Sequence, residues 1–318
     1  MSKNTFFKLS IWFCLAITGI YGVGRVYYYV TDGFTISNIN SNLKFDARFE
    51  TKSITPHEKN QIDSILSQKF KYLGKGCQSY VFASEDGKYV LKFFKYQRFT
   101  PQEWLDLFSF IPAMNEYRLM KIEKKRIKLE NIFTSWKIAH DELKSETGLV
   151  YVHLNKTNTL QKQVLITDKM GMEHLLAIDD YEFLIQKRAF MLTDTIENHM
   201  KMSQLDQTKK LLDNLFDTLV SEYKRGLGDN DHALMQNTGV LDGMPIHIDV
   251  GQFLQKESYK DVEVQAQEMF NKTYKFRIWL KKSFPDLSLY FDEKLYTFIG
   301  PKMDELRPQL KNMDGNDF

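Results

Sequence analysis

A helical stretch delivers this chain into an acidic, glycine-punctuated loop, and the rest of the sequence is arranged around that junction. From Leu205 to Arg225, the residues Leu211, Leu212, Leu215, Phe216, Leu219, Val220 and Tyr223 form one apolar stripe, so this helix buries itself in a core. Immediately after it, Gly226 to Phe253 holds four acidic residues, Asp229, Asp231, Asp242 and Asp249, with Asn237 among them. The stretch closes on a strand-like run, Ile246-His247-Ile248, that ends on Asp249-Val250-Gly251. That arrangement suits Mg²⁺ and a nucleotide phosphate, because magnesium takes hard oxygen ligands, usually one or two carboxylates plus substrate phosphates and waters. Asp, Asn and Gly are also the commonest turn residues, and what decides between turn and site lies upstream.

Upstream, Phe70 to Phe82 and Tyr89 to Phe94 read as three antiparallel strands, with Asp86-Gly87 as a hairpin signal between the second and third. Gly74 and Gly76 would let the first turn approach a ligand closely, with backbone N–H groups facing phosphate oxygens. Lys92 stands inside an otherwise apolar strand, Val90 to Phe94, where packing does not explain a charge; a sheet-edge lysine is the alternative. Before these strands, Thr55-Pro56-His57-Glu58 combines a capping residue, Pro at the first helical position and Glu three after the cap, opening a helix with Ile62, Ile65 and Leu66 on one face. Thr100-Pro101-Gln102-Glu103 repeats that signature and predicts a second helix start. A long helical pattern runs from Met114 to Lys144, with Leu129, Ile132, Phe133, Trp136, Ala139 and Leu143 in register. Further strands are expected at Leu149–Leu154, Val164–Asp168, His174–Ile178 and Tyr181–Gln186.

The run Leu73-Gly-x-Gly-x-x-Ser79-x-Val81, followed by Val90-Leu91-Lys92, resembles the glycine-rich loop and strand lysine of the protein-kinase-like superfamily, and Asp249-Val250-Gly251 resembles its DFG metal motif. The resemblance covers roughly Phe70 to Phe253, in short islands. It implies an α+β, bilobal protein-kinase-like fold: a small antiparallel β N-lobe with a long helix, then a mainly α C-lobe. It also implies ATP and Mg²⁺ as cofactors. Gly74 and Gly76, with Ser79 and Val81 in the same run, would cover the phosphates, Lys92 would contact the α- and β-phosphates, and Asn237 and Asp249 would hold the metal. The lysine would pair with Glu116 in the long helix, or with Glu103. Gln186 to Ala189 would be the hinge, by order alone.

One part of the pattern departs. The superfamily's catalytic Asp stands five residues before the Asn, and His232 occupies that slot. Asp231 is the expected base and Asp229 its alternative, with the other binding metal or fixing the loop. Gly226-Leu227-Gly228-Asp229-x-x-His232 and Ile246-His247-Ile248-Asp249 also resemble stretches of phosphoinositide lipid kinases, though their spacings differ. Three readings are open: a phosphotransferase acting on a protein hydroxyl, a pseudokinase that binds a partner without turnover, and a lipid kinase.

At 318 residues, 43% hydrophobic and 26% charged, the chain has a folded composition with room for two lobes, and a net charge of +2 offers no basic excess for a nucleic-acid partner. Cys14 and Cys77 form no disulfide framework. Residues 1–30 stand apart. Lys3 and Lys8 precede an uncharged run from Leu9 to Gly24, closed by Arg25 and Tyr27-Tyr28-Tyr29, which reads as a membrane anchor or a signal segment. Lys3 and Lys8 outnumber Arg25 by only one charge, a weak bias toward a cytoplasmic N-terminus and an exported domain, away from most ATP. The side stays open, the alternatives being an anchor inserted the other way or delivery into an ATP-containing compartment or another cell. The expected organisation is an anchor at 1–30, a polar linker at 31–54, an N-lobe at 55–188, a C-lobe at 189–307 and a disordered tail at 308–318. The expected partners are a nucleotide, a protein substrate or docking partner, and the membrane.

Overall fold

The computed structural model describes residues 3–309; the Lys3 and Lys8 side chains and residues 310–318 of the expected tail lie outside the described part. The chain begins with helices α1 (Lys3–Thr31), α2 (Ile36–Ile39) and α3 (Pro56–Leu66), then strands β1 (Phe70–Lys75), β2 (Ser79–Ser84) and β3 (Tyr89–Phe94). It continues through α4 (Trp104–Leu107), α5 (Pro112–Glu142), α6 (Lys144–Thr147), β4 (Leu149–His153), β5 (Gln163–Thr167), β6 (Glu173–Ala177), β7 (Phe183–Lys187) and β8 (Phe190–Met191). The last part holds α7 (Leu192–Lys201), α8 (Leu205–Lys224), β9 (Leu227–Asp229), α9 (Leu234–Asn237), β10 (Thr238–Leu241), β11 (Met244–His247), β12 (Phe253–Gln255), α10 (Val262–Ser283) and α11 (Pro285–Ile299). The fold is α+β, with a seven-strand sheet and a helical C-terminal part.

The chain divides into two compact units. The first, 1–45 with 54–98 and 155–183, contains five consecutive strands of the seven-strand sheet in the order β3-β2-β1-β5-β6. β1, β2 and β3 pair antiparallel as expected, with a bulge where Gly74 faces Val81, and the Asp86-Gly87 turn closes on Gly87 at φ 69°. β5 runs parallel to β1, setting Phe70 against Ile166 and Lys71 against Thr167. The capping box at Thr55 and Glu58 forms in both directions, and α3 buries Ile62, Ile65 and Leu66.

The segment read as a polar linker is packed. Phe34 meets the rings of Tyr80, Phe82 and His174 edge-on, and Ile39 is fully buried. A buried polar knot holds the same segment: Ser41 and Tyr96 both donate to the Glu182 carboxylate, at 2.8 and 2.7 Å. Burial pushes the Glu182 carboxyl up, against the pull of those two hydroxyls. Residues 46–53 belong instead to the second unit, where Phe49 packs edge-on against Phe133. Isolated apolar anchors in a polar run carry no period, and a reading by periodicity passes over them.

The second unit comprises 46–53, 99–154 and 184–318. The long helix that sequence places in the N-lobe therefore groups with the C-terminal half. α5 buries residues only from Leu129 to His140; its first four turns lie outside the core. The capping signature at Thr100 does not open a long helix: α4 is four residues, and α5 begins at Pro112. The stripe on α8 packs with Leu192, Ile196, Met269, Phe276, Leu280, Leu287, Phe291 and Leu295 into one core built from α7, α8, α10 and α11.

α1 runs past Arg25 as a continuous helix to Thr31, and its residues Ile11–Thr31 are long and apolar enough to cross a membrane, with none of the apolar window buried. Twenty-one residues rise about 31 Å, close to the thickness of a bilayer's hydrocarbon core. A signal sequence passes the same test.

Glu182→Ala strands two buried hydroxyls, and the first unit is expected to lose about 1–3 kcal/mol, whereas Glu182→Gln keeps an acceptor in place and loses less. Urea unfolding of the two variants beside the parent chain measures the difference.

Candidate functional site

The residues singled out from sequence fall into two groups, one in each unit. In the first unit, Lys92 is buried on β3 opposite Val81, and Ser79 opens β2 opposite Phe94. The turn between β1 and β2 is closed by the Gly76 N–H donating to the Ser79 carbonyl at 2.9 Å, so that amide is not presented outward. Gly74 has no positive φ, and a Cβ there would meet nothing within 4 Å. The protein's own packing thus does not require glycine at 74, as it would not where the backbone is left bare for something else to lie against. A lysine that sequence reasoning passed over braces this turn: Lys95 Nζ donates to the Gly76 carbonyl at 2.6 Å and lies 4.6 Å from the Tyr80 ring centroid. Burial, then the nearby charges of Lys75 and Arg98, pull the Lys95 ammonium down to about 8.

The second group is the acidic stretch. Its helical lead-in, α8, ends at Lys224, and the chain enters β9, which pairs antiparallel with β12 so that Asp229 faces Phe253 and Gly228 faces Leu254. Gly228 is required here by packing: a Cβ would stand 2.9 Å from the Tyr259 ring. Between Asn237 and Asp249 lies a β10–β11 hairpin turning on Asp242-Gly243, both at positive φ. It is the same dipeptide signal as Asp86-Gly87, and it sets the interval between the two residues.

Hydrogen bonds tie the loop to the Asp249 segment at both ends. At one end the Asn230 N–H donates to the Gln252 carbonyl at 3.1 Å; at the other the Ile248 N–H donates to the Asn237 carbonyl at 2.8 Å. Inside the loop, Asp231 accepts the Ala233 N–H on one carboxylate oxygen at 2.9 Å and the Asn237 side-chain amide on the other at 3.0 Å. Asp249 accepts the Gly251 N–H at 3.1 Å, turning the chain on the Asp-Val-Gly run, while Val250 and Phe253 are fully buried. The Phe253 carbonyl accepts the Ser135 hydroxyl of α5 at 2.8 Å. Asp231, Asn237 and Asp249 are all half-buried.

Asp229 has a different fate. It is buried and holds the ammonium of Lys272, on α10, at 2.5 Å; Lys272, 1% exposed, also donates to the Asp231 carbonyl at 2.6 Å. Asp229 further accepts the Asp231 N–H at 3.0 Å. It is thus committed to fixing the loop, and of the two candidate bases Asp231 is the one left at the half-buried surface. His232, in the slot of the missing Asp, points its Nε2 to Glu268 at 3.1 Å, and His247 lies against buried Glu222 at 2.7 Å. Both act as hydrogen-bonded structural side chains. Tyr259, packed on Gly228, is pushed up to about 12 by burial, then by the charges of Glu268 and Asp229.

Of the remaining expectations, Glu116 is exposed on the first half of α5, in the second unit, and Glu103 is exposed before α4. Gln186, from the expected hinge, is buried, its amide donating to the carbonyls of Thr147 and His247 at 2.6 and 2.9 Å. No group of three or more His, Cys, Asp or Glu poised for a metal occurs among the described residues. Magnesium does not need one, since it binds through one or two carboxylates with substrate phosphates and water. An amide oxygen on Asn237 and a carboxylate on Asp249 are donors of that hard kind.

No family model matches the chain, and no curated protein matches it. Solved structures similar in part are two of WbdD and one of a Mycobacterium tuberculosis protein. The first WbdD structure gives a TM-score of 0.35 at 17% identity over 73% of this chain. The second, with kinase inhibitor LY294002, gives 0.35 at 13% identity over the same share. The complex of Rv3197 with erythromycin gives 0.33 at 13% identity over 92% of this chain and 75% of its own. The chain spans 46% and 47% of the length of the two WbdD chains. Likeness at this level says nothing of activity.

Removing Lys272 leaves a buried carboxylate without a counter-charge, so Lys272→Met is expected to destabilise the second unit by about 3–5 kcal/mol. The double variant Lys272→Met, Asp229→Leu removes both charges and is expected to recover most of that loss. Denaturant midpoints of the single and double variants check it.

Proposed function

We propose that the chain is a divergent ATP- and Mg²⁺-dependent phosphotransferase of the protein-kinase-like kind, transferring the γ-phosphoryl group to a protein hydroxyl. The observation that carries the reading is the double use of Asn237. Its side chain holds Asp231 and its carbonyl holds Ile248, the residue before Asp249, so a candidate base and a candidate metal segment are fixed by one residue. The carbonyl bond continues the β10–β11 ladder by one rung, and the side-chain bond brings Asp231 onto that ladder.

In this reading the bare backbone at Gly74 and the Lys92 ammonium would take the nucleotide phosphates, and Asn237 and Asp249 would hold the magnesium. The metal, when bound, neutralises charge on the phosphates. Asp231 accepts the proton of the acceptor hydroxyl as its oxygen forms a bond to the γ-phosphorus and the bond to ADP breaks. Each Asp231 oxygen accepts one hydrogen bond within the loop and keeps a further lone pair for that proton. Asp229 and Lys272 position the loop and touch no substrate.

A second reading, nucleotide binding without turnover, is favoured by one observation: both Asp231 oxygens already serve the loop. The full chain in detergent, given labelled ATP and Mg²⁺ with a generic protein acceptor and, separately, phosphoinositide vesicles, separates these cases. Transfer to protein that is abolished in Asp249→Ala, and lowered about 10²–10⁴-fold in Asp231→Asn, is the expected result. Equal transfer by Asp249→Ala overturns the assignment, nucleotide binding without transfer selects the second reading, and transfer only to the vesicles changes the acceptor to lipid.

A further inference from the structure

The end of α1 is built into the first unit, with no slack chain between them. Asp32, the residue after α1, forms ion pairs with Lys75 at 3.0 Å and Lys169 at 3.1 Å, and accepts the Tyr72 hydroxyl at 3.0 Å. Burial would raise its carboxyl, but those three partners together hold it below the usual carboxylate range. Lys169 also donates to the Tyr29 carbonyl at 2.8 Å, satisfying an acceptor in the last turn of α1. Lys75 lies 4.0 Å from the Tyr28 ring centroid, and the Gly33 carbonyl accepts both the Tyr80 hydroxyl and the Asn38 amide, at 2.5 and 2.8 Å.

Sheet topology decides what stands beside this clasp. β1 and β5 run parallel, so Lys75 and the turn after Thr167 leave the sheet at one end; the Glu85–Lys88 turn between β2 and β3 leaves at the other. The β5–β6 tip therefore rises next to the last turn of α1, with Lys169 touching it. The tip is a fixed shape. Asp168 accepts the N–H groups of Met170 and Met172, each at 2.9 Å, and meets the His174 ring at 2.9 Å, while Gly171 turns the chain at φ 88°. Turn tips are ordinarily polar, yet this one holds Met170 and Met172 at 53% and 52% exposure, and Leu175 is exposed behind them on the edge strand β6.

We propose that this tip is a membrane-contact surface: α1 crosses the bilayer, and the clasp around Asp32 seats Met170 and Met172 in the headgroup region where α1 emerges. Continuity argues for lipid as the occupant. The exposed apolar side chains Val23, Val26, Tyr27 and Tyr29 run along α1 up to the clasp, with tyrosines where interfacial aromatics belong. Lys75 and Lys169 sit at the same level, and the unbranched, flexible methionine side chain adapts to an uneven apolar surface. The inference stands apart from phosphotransfer.

The test uses single-cysteine versions of the full chain carrying an environment-sensitive fluorophore, reconstituted in phosphatidylserine-containing vesicles with nitroxide lipids. Native Cys14, in a Cys77→Ser background, reports α1; Met170→Cys reports the tip; Glu85→Cys, at the opposite end of the sheet, is the control, the last two in a Cys14→Ser, Cys77→Ser background. The expected result is quenching at 14 by nitroxide on the acyl chains, quenching and a blue shift at 170 with nitroxide at the headgroup, and neither at 85. Asp32→Ala is expected to lower the quenching at 170 and leave that at 14. A tip label that behaves like 85, or an unquenched label at 14, overturns the proposal. So does a tip label shielded in detergent in proportion to protein concentration, which assigns the surface to a second copy, and so does quenching at 170 that Asp32→Ala leaves unchanged.

Discussion

The contact between Lys272 and Asp229 is the interaction on which the second unit's acidic stretch depends. Taking two charges out of water costs several kcal/mol per ion, and the cost is offset only where geometry is close and the remaining hydrogen-bonding capacity is used. Here Nζ reaches a carboxylate oxygen at 2.5 Å, spends a second proton on the Asp231 carbonyl, and is almost wholly enclosed. Because α10 is packed into the same core as α7, α8 and α11, the ammonium is a fixed point, and the loop is drawn onto it. The consequence is positional. Asp231 stays half-buried while Lys272 holds its carbonyl, and Asn237 links it to the segment that leads from β11 to Asp249.

The two acids of the loop thus differ in role by environment alone. Asp229 is a buried counter-ion, while Asp231 keeps half-buried contact with solvent and a carboxylate arranged by N–H donors. The proton acceptance proposed for Asp231 draws on this division, because phosphoryl transfer relies mostly on positioning and charge stabilisation. Neither histidine is placed for that task, since each meets a glutamate and lies within the fold.

How much of this was legible in the sequence varied with the kind of signal. Strand boundaries in the sheet, the α8 stripe and the Thr55 cap were readable because period and capping chemistry are local. Asn237 and Asp249 stood out by residue type and order. Lys272 did not, although a trace was there: it lies on the α10 stripe of Met269, Thr273 and Phe276, where a solvated lysine has no place. The Asp242-Gly243 turn was equally available, and was hidden only by reading the stretch as one loop. Phe34, Ile39 and Phe49 were not legible at all, since single apolar residues in a polar run show no period, and their burial is decided by the sheet or helix they meet. The clasp at Asp32 is of the same kind, joining residues up to 140 positions apart.

Asn237 and Asp249 are proposed here as the metal-dependent half of a nucleotide site. Calorimetric titration of the full chain with ATP, in the presence and absence of Mg²⁺, tests it most directly, with Asp249→Ala measured alongside. Mg²⁺ is expected to tighten ATP binding to the parent chain, and Asp249→Ala is expected to lose this gain. Binding that is indifferent to Mg²⁺, or a gain that survives Asp249→Ala intact, contradicts it.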